Sequence, residues 1–161
     1  MSSRRRRSVA IALIVGLACL GPVLLAADSG ALHLETFLVW ATNGEKPSDP
    51  KLKELDPELS RKLRKSPYKW NNYYQVHCTD FIAPVGGVTN VTLSKQCSLG
   101  IKALGENRVE VNLVGRGKPV SRRVETLAPG ELMITGGDDK NDTAWFIVLR
   151  QYPKAPAASG H

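Results

Sequence analysis

The sequence is short of the residues from which catalytic and metal centres are usually built. Its three cysteines are Cys19, Cys78 and Cys97, and its three histidines are His33, His77 and His161. No Cys-x-x-Cys spacing occurs, which argues against a redox-active dithiol. The histidines are scattered, without metal-ligand spacing. His77 and Cys78 are adjacent, but neighbours on a strand point to opposite faces and so do not form a nucleophile–base pair. Gly115-Arg116-Gly117-Lys118 lacks the length and the final Ser/Thr of a phosphate loop. Asp138-Asp139-Lys140-Asn141-Asp142 is rich in oxygen ligands. Lys140 nevertheless stands where a calcium loop needs a ligand, and Gly136-Gly137 precede the acids instead of following them. A hairpin turn accounts for that segment, and a hydrolase built on Asp138 to Asp142 is the weakest functional reading. No cofactor and no metal is expected, and the chain reads as a non-enzyme.

What is present begins with an export signal. Arg4 to Arg7 are followed by an uncharged apolar run from Val9 to Ala27, which Gly21-Pro22 interrupts before the small residues Ala26-Ala27. Charge, apolar stretch, helix breaker and small residues are the layout of a secretory signal peptide over residues 1–27. The same run is long enough to serve as an uncleaved N-terminal anchor, the one route to a membrane for this chain. Both forms place the remainder outside the cytoplasm, in the periplasm or cell envelope. Gly16-Leu17-Ala18-Cys19 resembles a lipoprotein cleavage box, although Leu20 is bulky for the position that follows the cysteine. Of the 22 basic residues four belong to the signal, leaving 18 against 15 acids and a net charge of +3. The high pI is therefore largely a property of the signal, and no nucleic-acid partner is expected.

A short lead over residues 28–33 precedes a domain over residues 34–150. Leu34 to Thr42 reads as a strand, apolar nearly throughout from Phe37 to Ala41, as in a strand covered on both faces. Asp56-Pro57 places an N-cap before a proline at the first helical position, predicting a helix from Pro57 to about Lys65. Leu52, Leu55, Leu59 and Leu63 form its apolar stripe. From Tyr68 the even positions Tyr68, Trp70, Tyr74, Val76 and Cys78 share an apolar parity, which puts Tyr73 on the polar face. Pro84-Val85-Gly86-Gly87 is expected to turn the chain back, and Val91, Leu93, Cys97, Leu99 and Ile101 then share one face. Shorter strands follow over 108–114, 120–127, 132–134 and 143–150, separated by Gly- and Pro-rich turns. The expected fold is all-β: an antiparallel β-sandwich of about seven or eight strands with one short α-helix. Residues 151–161, rich in proline and small residues, are expected to be a disordered tail.

Pairing around Gly86-Gly87 would bring Cys78 and Cys97 almost opposite each other. In an oxidising compartment that predicts a structural disulfide, which would stabilise the fold by about 3 kcal/mol. Asn90-Val91-Thr92 and Asn141-Asp142-Thr143 are glycosylation sequons that matter only in a eukaryotic source. The basic cluster Arg61, Lys62, Arg64 and Lys65 at the helix end, with Tyr73, makes up the candidate binding surface. The segment Val39 to Gly44, the leucine-striped helix, the Tyr-rich strand and the closing Gly-Gly turn resemble a group of exported bacterial small β-domains over about residues 34–150. That resemblance implies a β-domain and carries no activity. The functional expectation is a cell-envelope module that binds an envelope protein partner or assembles at the membrane surface. The alternative is a carbohydrate- or anionic-polymer-binding domain that uses Tyr73 and residues 61–65.

Overall fold

The structure, a computed structural model, describes residues 30–66 and 68–152. The signal over residues 1–27 and the tail beyond Tyr152 lie outside the described residues. The domain is all-β with one short helix. In chain order its elements are β1 (Leu32–Thr42), β2 (Lys53–Glu54), α1 (Pro57–Lys65), β3 (Asn72–Ala83), β4 (Val88–Ser94), β5 (Cys97–Gly105), β6 (Arg108–Gly115), β7 (Lys118–Thr126), β8 (Leu132–Asp139) and β9 (Thr143–Gln151). Two antiparallel sheets pack face to face, a five-stranded one in the order β2-β3-β1-β9-β8 and a four-stranded one in the order β4-β5-β6-β7. Among the described residues no helix is long and apolar enough to cross a membrane.

The five-stranded sheet is buried on both faces, and this explains the unbroken apolar runs of β1 and β9. One face of each strand, including Leu32, Leu34, Ile147 and Leu149, meets Leu99, Ile101, Val109 and Val111 of the other sheet. The opposite face, with Phe37, Val39, Phe146 and Val148, lies under Leu55, Leu59, Leu63 and Trp70. Helix α1 starts where the sequence predicts. Asp56 Oδ1 accepts the Leu59 backbone N–H at 2.9 Å, and the proline follows at the first helical position. Leu59 and Leu63 are 1% and 0% exposed, so the helix lies across the sheet as a third layer.

Five expectations are corrected. Leu32 and His33 belong to β1 and not to a flexible lead, and Leu32 is buried. Gln151 closes β9, and the Tyr152 N–H donates to the His33 carbonyl at 2.9 Å, so the tail expected to begin at residue 151 is ordered through Tyr152. The stretch 88–104 is two strands, not one, turning at Lys95-Gln96; Ser94 then pairs with Cys97, and Val91, Leu93, Leu99 and Ile101 stay on the inner face. The chain also does not fold back on itself at Gly86-Gly87. It leaves the five-stranded sheet after Ala83 and enters the four-stranded sheet at Val88. Cys78 and Cys97 therefore stand in different sheets. Cys78 packs with the layer beneath the helix and Cys97 with the layer between the sheets. Both are free thiols, and the expected disulfide is absent from this fold.

A bulge in β3 accounts for the remaining difference. Leu38 pairs with His77 and Val39 with Gln75, so Val76 has no partner in β1 and is 39% exposed. One unpaired residue exchanges the faces on either side of it. Tyr73, opposite Ala41, consequently faces the helix and is 4% exposed.

Truncating Leu63 to Ala should cost about 3 kcal/mol in urea unfolding, because the sheet beneath it cannot collapse into the space. Arg61→Ala, on the exposed side of the same helix, should leave the midpoint unchanged. Equal midpoints for the two variants would show that the helix does not cover the sheet.

Candidate functional site

Three places bring chemically distinctive side chains together, and their geometry separates a structural cluster from a candidate binding site. The first lies at the N-terminus of α1. Glu35 of β1, 8% exposed, accepts from Arg150 Nε at 2.6 Å, Tyr152 OH at 3.1 Å and Cys78 Sγ at 3.3 Å. The Arg150 guanidinium also lies 3.9 Å from the helix cap Asp56 and 5.0 Å from the centre of the Phe37 ring. Three strands and the helix cap meet at this carboxylate. Burial raises the Cys78 thiol from 9.0 to about 12, and the hydrogen bond to Glu35 pushes it the same way. Such a thiol is a neutral donor and a poor nucleophile. With Glu35 occupied by three protein donors, the cluster is a polar staple within the fold.

The second place is the basic surface expected at the end of the helix. Arg61, Arg64 and Lys65 are exposed there, but two of the four cations are engaged. Lys62 Nζ donates to the Gly130 carbonyl at 2.7 Å and pairs with Glu58 at 3.1 Å, tying the helix to the β7–β8 connection. Arg64 Nε donates to the Asn71 carbonyl at 3.2 Å. Tyr73 does not join this surface. It lies beneath the helix beside Phe146, with ring centroids 6.1 Å apart, and burial raises its hydroxyl above the ordinary phenol range. The buried Tyr73 ring offers no face for stacking beside the cations, and the proposed glycan site loses its stacking residue.

The third place is the open side of the sandwich, where β7 and β8 end their respective sheets. β7 projects beyond the core. Its residues facing the other sheet are Ser121, Arg123 and Glu125, opposite Leu113, Val111 and Val109 of β6. Those polar side chains bury nothing, and Ser121 alone among the nine residues is not exposed. Arg122 and Arg123 point to opposite faces, as alternation requires. Arg122 finds Glu110 on the outer face at 2.8 Å, whereas Arg123 has no ion pair among the described residues.

β8 pairs with β9 on one side, and among the described residues no strand pairs with its other side. A groove of about 520 Å³ runs along this free edge, bounded by Ile134 to Asp138 of β8, by the Tyr68–Trp70 segment, and by Arg123 from across the seam. Lys69 fixes the aromatic wall: its ammonium lies 4.6 Å from the centre of the Trp70 ring and 3.7 Å from both Asp138 and Asp142. The acidic run weighed as a calcium or hydrolytic site is thereby a tight β8–β9 turn. Asn141 and Asp142 take positive φ of 62° and 54° there, and Lys69 neutralises two of its carboxylates.

The two glycines of β8 have different tasks. A Cβ on Gly136 would run into the Trp145 carbonyl and the Phe146 ring, so glycine lets β8 approach β9 closely; Gly137 opens on free space. The groove was not legible as a site in the sequence. The one signal for it was the polar inner parity of β7, where Arg123 stands among residues that face a core in the other strands.

Two outcomes follow. Because the folded thiol titrates higher than the unfolded one, its contribution to stability is complete below pH 9.0 and is lost as the pH rises toward 12. Cys78→Ala should flatten the decline of the urea midpoint across that window; an unchanged decline would place its origin elsewhere. Gly136→Ala should destabilise by about 2 kcal/mol through forced backbone movement, whereas Gly137→Ala should be tolerated. Urea unfolding of the pair distinguishes them. No protein-family model, curated protein or solved structure matches the chain.

Proposed function

We propose that this protein is a non-enzymatic cell-envelope module that captures an extended segment of a partner protein at the free edge of β8. The observation that carries the reading is the edge of that strand, unpaired among the described residues, with an open groove beside it. An unpaired strand presents a row of backbone donors and acceptors that another extended chain can complete. In this mode of recognition the main chain supplies affinity and the flanking side chains supply selection. Tyr68 offers an aromatic wall backed by the buried Trp70, and Arg123 offers a cation without an ion pair among the described residues. That cation favours a segment that carries a carboxylate. Export through residues 1–27 belongs to the same proposal. With Cys78 and Cys97 unbonded, it rests on the N-terminal segment and no longer on a disulfide.

The test uses blocked nonapeptides of alternating Thr and Val, with and without one Glu, titrated against the full chain. Binding should slow hydrogen exchange at residues 132–139 selectively, and the Glu-bearing peptide should bind about threefold to tenfold tighter at low salt. Gly137→Trp, which fills the groove from a position with free space, should weaken binding at least about tenfold. Exchange at β8 that no peptide slows would refute strand capture. Protection confined to β7 would move the site to the other edge.

A further inference from the structure

A second opening borders β8 on the face away from the aromatic wall. Between the two sheets, at the Asp139 end of the strand, lies a cavity of about 450 Å³. Leu38, Leu113, Val120 and Trp145 give it an apolar lining, Cys97 stands within it, and Asp139 of β8 and Arg116 of the β6–β7 turn also border it. The sandwich core is unfinished here. Leu38, Cys97 and Trp145 pack against the core cluster but are only partly buried. Val120 of the overhanging edge strand is 59% exposed. Its volume lies within the range of pockets that hold ligand groups.

The positions of the two openings relative to β8 are what matter. Side chains of an added strand point alternately to the two sides of its sheet. On one side of β8 they would meet the groove bounded by Tyr68 and Lys69, and on the other the space between the sheets. We infer that the cavity beside Asp139 is the anchor pocket for an apolar side chain of the captured segment. The segment is thus selected by a Leu-like residue on its inward parity. This rests on the strand-capture reading and adds the identity of the side chain that confers selection. Leu38, Leu113 and Val120 have no hydrogen bonds to offer, so an apolar group gains by entering among them; Ser94, Gln96, Arg116 and Asp139 complete the lining, and a guest carboxylate there would meet Asp139 as well as Arg116. The groove on the opposite parity, with Tyr68 and Lys69, accepts the polar residues that alternate with the anchor.

Cys97 supplies a reporter inside the pocket. Burial raises its thiol above the ordinary range, so its alkylation is slow but measurable at mildly alkaline pH. The experiment uses a blocked nonapeptide of alternating Thr and Ser with one guest position on the inward parity, occupied by Ala, Leu or Asp. The Leu guest should bind about tenfold tighter than Ala, and Asp should bind weakest. The Leu peptide should slow reaction of Cys97 with N-ethylmaleimide, read by peptide mapping, and leave Cys78 unaffected. Protein already alkylated at Cys97 should still bind the Ala peptide but lose its preference for Leu. Equal affinities for the Ala and Leu guests, with β8 protected by both, would overturn the anchor pocket and leave strand capture standing. Binding of none of the peptides would remove strand capture and the pocket together. A Leu preference that persists after Cys97 is alkylated would place the anchor elsewhere and overturn the inference.

Discussion

Everything in this domain depends on burying one sheet from both sides. β1 and β9 run side by side at its centre, and neither has a face that tolerates water. On one side they need the four-stranded sheet, and on the other they need the leucines of α1 with Trp70 and Tyr73. An ordinary two-layer sandwich would leave Phe37, Val39, Phe146 and Val148 wet. At roughly 1.5–3 kcal/mol for each large apolar side chain, that exposure would cost about as much as the whole net stability of a domain this size. A nine-residue helix, too short to persist by itself, is held because the sheet requires a cover.

The same demand explains where charge is admitted. Glu35 and Arg150 sit on the helix-facing side of β1 and β9, just beyond the leucines, where the apolar layer ends. Each would be costly there alone. Together with Tyr152, the Cys78 thiol and the helix cap Asp56, they satisfy one another. The staple thus marks the boundary of the cover, and it joins elements that lie more than a hundred residues apart in the chain.

Much of this frame is legible in the amino-acid sequence, and the parts that are not share a cause. Asp56-Pro57 and the leucine spacing locate α1, since capping and periodicity are local. The unbroken apolar runs of β1 and β9 announce burial on two faces. Parity arguments fail where one residue drops out of register: Val76 leaves the ladder, and Tyr73 comes to the same helix-facing side as Cys78, which strict alternation would place opposite it. Lys95-Gln96 turns the chain without glycine, proline or asparagine, so composition gives no warning of it. Whether Gly86-Gly87 closes a hairpin or carries the chain across to another sheet is settled by packing far from those residues. The candidate groove shares this property, because it is made of an edge, and an edge is defined by the strand that is missing.

The central position of β1 and β9 also sets how the domain is presented. The start of β1 pairs with the end of β9, and the Tyr152 N–H closes on His33, so the described chain enters and leaves at the same end of the sheet. The β4–β5, β6–β7 and β8–β9 turns, with Asp139 and Trp145, lie at the other end, about 35 Å away along an eleven-residue strand. Entry and exit of the described chain therefore share one end of the domain, and the open end of the sandwich stands a full strand length from both, the farthest point that a nine- to eleven-residue strand can reach.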